Sequence, residues 1–134
     1  MKRSEARAYA LSMLFEYSYN RADEPDEIIE RSPDLRGENP SGFAKQLFNG
    51  VCSSIAEIDA KIENAAQNWK LHRISRVSLA VLRIAVYEML YIKELPPEIV
   101  VNEALELTRK YDADDAVGFV NGVLGKIAAS GDEK

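Results

Sequence analysis

The chain has 134 residues and a net charge of −5, and 46% of its residues are hydrophobic and 29% charged. This composition is typical of one folded domain rather than of a disordered chain, and no apolar run approaches the roughly 18 residues that a transmembrane helix needs. A single cysteine, Cys52, and a single histidine, His72, exclude an intramolecular disulfide and a zinc site built from cysteine and histidine.

The first helix is predicted over residues 4–19, because apolar side chains recur there at helical spacing. Its core-facing residues are Ala6, Ala10, Met13, Leu14 and Tyr17. Three cations, Lys2, Arg3 and Arg7, precede or open this helix and are expected to face outward. A secretory signal is rejected because charged residues interrupt its start and bulky polar residues follow it, so a cytoplasmic location is expected.

Residues 20–40 combine an acidic cluster with three of the five prolines. They predict one short helix at about 26–31, followed by a loop. The acidic cluster lacks the alternating spacing and the glycine of a calcium loop, which favours a solvated surface over a metal site.

The next helix is expected to begin near Ser41 and to break around 52–54, with Gly50 as a C-cap. A further helix is predicted from Ser54 to about Trp69, because Ser54-Ile-Ala-Glu57 resembles a capping box.

The segment 77–92 carries only two charged residues, Arg83 and Glu88, and is predicted to be the central helix, packed on all sides. Helices at 97–111 and 116–129 follow, the former with Pro97 in its first turn and with an inward-facing Tyr111. Three glycines in the last helix predict a close helix crossing, and residues 131–134 are expected to fray. No alternating strand pattern appears, so the fold class is all-α with six or seven helices.

Charge is distributed unevenly along this acidic chain. Residues 70–87 contain Lys70, Arg73, Arg76 and Arg83 but no acid, and the N-terminal cations form a second basic patch. Such patches are typical of a protein that binds a polyanion, although chance scatter explains them equally well. No glycine-rich phosphate loop or metalloprotease motif is present, so neither an enzymatic activity nor a cofactor or metal is expected.

Several segments resemble the NusB family of bacterial transcription antitermination factors. The most specific are "LRIAVYEML" (82–90), "LPPEIVVNEALELTRKY" (95–111) and "FVNGVLGKI" (119–127). The resemblance also covers "RSEARAYALSMLF" (3–15), "GFAKQLFNGV" (42–51), Asp59 and "NWKLHRIS" (68–75), in order and at family-like spacing. It implies a single domain with two small orthogonal helical bundles, at about 1–69 and 75–130.

The resemblance further implies a non-catalytic factor that binds boxA-type single-stranded RNA. Its partners are then the ribosomal protein NusE and the RNA polymerase antitermination complex, which supports ribosomal RNA transcription. A homodimer is also compatible, because some relatives self-associate by covering the RNA surface. The protein-partner surface is expected on the C-terminal helices.

The RNA-binding positions that the resemblance implies are Lys2, Arg3, Arg7, Arg76, Arg83, Tyr111 and Phe119. The N-terminal motif is thin, because Ser4 and Glu5 stand where relatives often carry more arginines. Arg83 either contacts RNA or is held by a carboxylate such as Glu103 inside the fold. Tyr111 and Phe119 either offer stacking faces or pack in the core.

Two other functions remain open at this point. Some ribosomal-RNA cytosine methyltransferases carry a NusB-like domain, but 134 residues leave no room for the catalytic domain. A helical adaptor without RNA binding is the third hypothesis.

Overall fold

The computed structural model describes residues 1–67 and 69–130, and within them it contains seven α-helices and no β-strand. The helices are α1 (Arg3–Tyr19), α2 (Pro25–Arg36), α3 (Gly42–Ser53), α4 (Ile55–Ala66), α5 (Arg76–Tyr87), α6 (Pro97–Tyr111) and α7 (Ala116–Ser130). The predicted all-α fold of six or seven helices is confirmed. No helix of the described residues is long and apolar enough to cross a membrane. The tail predicted at 131–134 lies outside the described residues.

Helix α5 is the centre of the molecule, as its apolar sequence predicts. It packs against α1, α3, α4, α6 and α7. All seven residues from Ala80 to Val86 are buried, and a π-helical turn at Glu88–Ile92 extends the helix. A 3₁₀ turn at Leu71–Arg73 leads into it from α4.

Serine side chains cap the N-termini of two helices, α3 and α5. The Ser41 hydroxyl accepts a hydrogen bond from the Ala44 amide at the start of α3, and Ser75 accepts one from the Ser78 amide at the start of α5. The capping box predicted at Ser54 does not form. Ser54 is also the C-cap of α3 and lacks the extended backbone that an N-cap residue needs.

Helix α2 is longer than the sequence pattern predicts. It continues through Pro33 to Arg36 and ends at Gly37, which has a left-handed φ of 82°. The Arg36 guanidinium reaches α1, where it donates to the Ser12 carbonyl (2.9 Å) and the Glu16 carboxylate (3.0 Å). These tertiary contacts hold the last turn in place despite the backbone hydrogen bond that a proline removes.

The glycines play roles different from those predicted. Gly50 lies inside α3 rather than at its end, and a Cβ there would overlap the Tyr87 ring. It therefore permits a close approach between α3 and the end of α5. The predicted helix crossing at Gly118, Gly122 and Gly125 is wrong, because all three lie on an exposed face of α7 with nothing within 4 Å of an added Cβ.

Candidate nucleic-acid interface

The first candidate surface lies at the N-terminus of α1 and consists of Lys2, Arg3 and Phe43; we call it the α1 surface. Lys2 and Arg3 are exposed, as expected. The Arg3 guanidinium lies over the Phe43 ring, with its Cζ 3.7 Å from the ring centroid. Arg3 Nη1 also lies 3.4 Å from Glu94 Oε1, in an ion pair whose side chains are 56% and 60% exposed. An exposed pair of this kind is weak, so the Arg3 charge remains available to a ligand.

The expectation that Arg7 faces outward is wrong. Arg7 is only 4% exposed, and it donates to both carboxylate oxygens of Glu88, from Nε at 2.9 Å and from Nη2 at 2.6 Å. Its Nη1 lies 3.5 Å from Glu103. The hydrogen bonds to Glu88 raise the Arg7 pKa even though burial opposes the charge. A buried guanidinium needs such partners, so Arg7 joins α1 to the π-helical turn and α6 instead of meeting solvent.

Arg83 is likewise inside the fold. It is 5% exposed and forms a bidentate pair with Asp59 of α4, with Nε–Oδ1 and Nη2–Oδ2 distances of 2.8 and 2.9 Å. The hypothesis of an internal carboxylate is therefore supported, but the partner is Asp59 rather than Glu103. Both carboxylate oxygens of Asp59 are engaged, so Arg83 connects α5 to α4 and presents little charge at the surface.

The second candidate surface lies around the N-terminus of α5 and consists of Trp69, Arg73, Arg76 and Phe119; we call it the α5 surface. Trp69 is 49% exposed and meets the half-buried Phe119 ring edge-on, with centroids 5.8 Å apart. Trp69, Arg73 and Phe119 line a cavity of about 290 Å³. Exposed aromatic rings beside guanidinium groups are the chemistry that single-stranded nucleic acids recognise.

Arg76 of the α5 surface is fixed against the end of α1. Its Nη1 donates to the Ser18 carbonyl (2.7 Å), and its guanidinium lies 4.0 Å from the centroid of the exposed Tyr19 ring. Arg3 and Ser18 are 15 residues apart on α1, which at 1.5 Å per residue separates the α1 surface from the α5 surface by about 22 Å. The two basic patches thus lie at opposite ends of one helix.

An acidic side chain organises the α5 surface. Asp112 Oδ2 accepts hydrogen bonds from the hydroxyls of Ser75 and Ser78, both at 2.6 Å, and Oδ1 accepts one from the Ala113 amide at 2.7 Å. Burial alone would raise the Asp112 pKa, but these hydrogen bonds outweigh it and hold the pKa below its ordinary value. The carboxylate therefore stays charged and joins the end of α6 to the start of α5.

A larger groove of about 1250 Å³ lies between α1, α2 and α6. Its exposed apolar side chains include Phe15, Leu35 and Tyr111. The inward orientation expected for Tyr111 is wrong, since this side chain is 45% exposed. Acidic residues outnumber basic ones in the lining, which suits a protein ligand better than a polyanion.

Sequence reasoning missed several residues of both surfaces. Trp69 belongs to the segment "NWKLHRIS" (68–75), and its polar sequence neighbours were a signal that the ring is exposed. Phe43, Glu94 and Tyr19 gave no such signal, because their contacts with the arginines join distant parts of the chain. Within the described residues, no group of three or more potential metal ligands comes together.

An all-α fold with exposed guanidinium groups beside aromatic rings defines a class of helical protein suited to binding an anionic partner. The sequence model of the NusB family matches residues 4–129, and the chain belongs to this family. It is 39% identical over 131 residues to the transcription antitermination protein NusB of Clostridium novyi, covering 95% of this chain and 98% of the relative. It is 42% identical over 127 residues to NusB of Bacillus velezensis, with 95% of each chain covered.

Solved structures agree with this family. NusB of T. maritima superposes with a TM-score of 0.84 at 30% identity, covering 96% of this chain and 92% of that one. A crystal structure of the antitermination factors NusB and NusE in complex with double-stranded RNA matches with a TM-score of 0.84 at 28% identity, over 96% of each chain. The predicted family is therefore confirmed.

Proposed function

We propose that this protein is a non-catalytic transcription antitermination factor that binds boxA-type single-stranded RNA together with the ribosomal protein NusE. It would act within the RNA polymerase antitermination complex and support transcription of ribosomal RNA. The observation that carries the proposal is the α5 surface, where the exposed Trp69 ring lies beside Phe119 and Arg73 and where Arg76 is exposed at the start of α5. The solved complex of a NusB with NusE and double-stranded RNA supports RNA and NusE as the classes of partner.

The RNA path that we propose connects the α5 surface to the α1 surface. Arg76 lies at one end of α1, and Lys2 and Arg3 lie at the other, about 22 Å away. A strand that contacts both ends has to extend along the helix over several nucleotides. Bases stack on aromatic rings while phosphates meet the guanidinium groups.

The structure also supports weak binding in the absence of a partner. Arg7 and Arg83 are buried in ion pairs, which leaves Lys2, Arg3, Arg73 and Arg76 as the exposed cations of the two surfaces. Each phosphate contact to a single strand contributes about 0.7 to the slope of log affinity against log salt, so four contacts give a slope of about −3. A second source of affinity is then needed at physiological salt.

We assign the groove between α1, α2 and α6 to the protein partner. Its lining is apolar and exposed at Phe15, Leu35 and Tyr111, and its rim is more acidic than basic. A basic ribosomal protein complements such a rim, and apolar burial supplies the affinity that four cations cannot. This assignment involves α6 and α1, and so only partly the C-terminal helices.

Trp69 is the only tryptophan of the chain, so its fluorescence tests the proposal directly. We expect a boxA-like single-stranded RNA to change the Trp69 emission, and we expect a scrambled strand and a duplex of the same sequence to do so more weakly. Adding NusE should tighten binding of the boxA-like strand. Arg76→Ala should weaken binding severalfold, whereas Lys126→Ala, an exposed cation of α7 outside both surfaces, should not.

Equal affinity for the boxA-like and scrambled strands would refute the specific function. No binding to any RNA, with NusE binding retained, would favour a helical adaptor. A homodimer that covers the α5 surface predicts that RNA lowers the apparent mass in light scattering, and an unchanged mass would argue against such a dimer.

A further inference from the structure

The Arg3 guanidinium is held between an aromatic ring and a carboxylate that come from two other parts of the chain. Phe43 of α3 lies beneath it, with Cζ 3.7 Å from the ring centroid, and Glu94 of the segment between α5 and α6 lies 3.4 Å from Nη1. We propose that Phe43 positions Arg3 for RNA and that Glu94 competes with the RNA phosphate for the same guanidinium. The inference rests on the proposed RNA function of the α1 surface.

Phe43 is suited to position Arg3 because its ring is itself fixed. The side chain is half-buried and packs against the hydrophobic core. Its ring centroid lies 5.6 Å from Cζ of Arg7, whose guanidinium is held by Glu88 and Glu103. A guanidinium stacked on a ring keeps its N–H groups at the rim, where they are free to donate to phosphate oxygens. Phe43 thus restricts Arg3 to orientations in which it can bind an anion.

Glu94 is suited to compete because its pairing with Arg3 is weak and solvent-exposed. Both side chains are more than half exposed, and only one nitrogen–oxygen contact joins them. A phosphate can therefore displace the carboxylate, but it has to do so against a fixed neighbouring negative charge. RNA binding at Arg3 becomes weaker than an unopposed arginine would allow.

The position of Glu94 is set by the buried ion pair next to it. The π-helical turn begins at Glu88, and the Lys93 amide donates to the Glu88 carbonyl at 3.0 Å. Lys93 adopts a left-handed φ of 59°, which turns the chain immediately before Glu94. Since Glu88 is anchored by Arg7, the same pair that removes Arg7 from the surface also places a carboxylate beside Arg3.

Two substitutions with opposite expected effects on RNA affinity test this arrangement. We expect Glu94→Gln to tighten binding of a boxA-like single-stranded RNA by about two- to fivefold at low salt, because it removes the competing charge. We expect Phe43→Leu to weaken binding by a similar factor, because the guanidinium loses its ring, while Phe43→Tyr retains wild-type affinity. Glu98→Gln, which neutralises another exposed carboxylate in the first turn of α6, is the matched control.

The same two substitutions are then made in the Arg3→Ala variant, which lacks the guanidinium that they are expected to affect. In that background neither Glu94→Gln nor Phe43→Leu should alter RNA affinity further, which a double-mutant cycle measures. Urea unfolding of each variant confirms that the folded protein is being compared.

Three outcomes overturn the inference in different ways. If Arg3→Ala weakens binding but Glu94→Gln and Phe43→Leu behave like the wild type, the positioning and competition are refuted and the RNA function stands. If Arg3→Ala itself leaves the affinity unchanged, Arg3 does not contact RNA and the part of the proposed function assigned to the α1 surface falls as well. An equal gain from Glu98→Gln would show a general charge effect and also refute the competition.

Discussion

The clearest consequence of the structure concerns Arg7→Ala. In the wild type, Glu88 is 2% exposed and both of its carboxylate oxygens accept hydrogen bonds from Arg7. The substitution removes these donors and leaves a buried carboxylate without its cation. Breaking a buried ion pair from one side costs about 3–5 kcal/mol of unfolding free energy. That is a large part of the roughly 5–15 kcal/mol that stabilises an ordinary domain.

The measurement is urea unfolding followed by far-ultraviolet circular dichroism. Arg3→Ala is the matched control, because Arg3 lies four residues away on the same helix but is 56% exposed in its side chain. It should change the unfolding free energy by no more than about 0.5 kcal/mol. The apolar double variant Arg7→Met/Glu88→Leu should recover most of the loss, since it removes both buried charges together.

RNA binding separates this interpretation from one in which Arg7 contacts phosphate. Measured per folded molecule, Arg7→Ala should bind RNA with close to wild-type affinity and an unchanged salt slope, whereas Arg3→Ala should lower both. A stability within about 1 kcal/mol of the wild type, combined with a smaller salt slope, would refute the reasoning and return Arg7 to the RNA surface.

Four further substitutions have expected outcomes in urea unfolding. Gly50→Ala should destabilise the protein by about 1–3 kcal/mol because its Cβ overlaps the Tyr87 ring, whereas Gly122→Ala on the open face of α7 should stabilise it by about 0.5–1 kcal/mol. Asp59→Asn should cost about 3 kcal/mol, because it leaves a buried guanidinium without its counter-charge, and a neutral result would contradict the buried pair. Asp112→Asn should lose about 1–2 kcal/mol at pH 7. Because the folded pKa of this carboxyl is lowered, its contribution is complete above the ordinary value of 3.8 and disappears as the pH falls through the folded pKa, so wild type and variant should converge in acid.

Local patterns predicted much of the fold. The apolar residues around the whole circumference of 77–92 identified the central helix, and Pro97 marked the first turn of α6. Such features depend on neighbours within a few residues, which is why the sequence contains them. The length of α2 could not be predicted in this way, because the contact that holds its last turn joins Arg36 to α1, 20 and more residues away.

The candidate site was less predictable for the same reason. Arg3 and Arg7 are both cations in the first turns of α1, and nothing in their local sequence distinguishes them. One stacks at the surface on Phe43, while the other is buried by Glu88, which lies 81 residues further along the chain. The sequence left Arg83 open between RNA contact and an internal carboxylate, and the choice of Asp59 over Glu103 depended on how α4 packs against α5.

The ion pairs of the structure explain why the proposed RNA binding would depend on a partner. Arg7 and Arg83 are the most central of the predicted cations, and both are neutralised inside the fold, while Arg3 is opposed by Glu94. The positive charge left on the proposed RNA surfaces is therefore small and divided between the two ends of α1. If NusE docks in the groove beside this helix, its own contacts with RNA extend a path that the protein alone completes only weakly. By linkage, RNA should then strengthen NusE binding by the same factor by which NusE strengthens RNA binding.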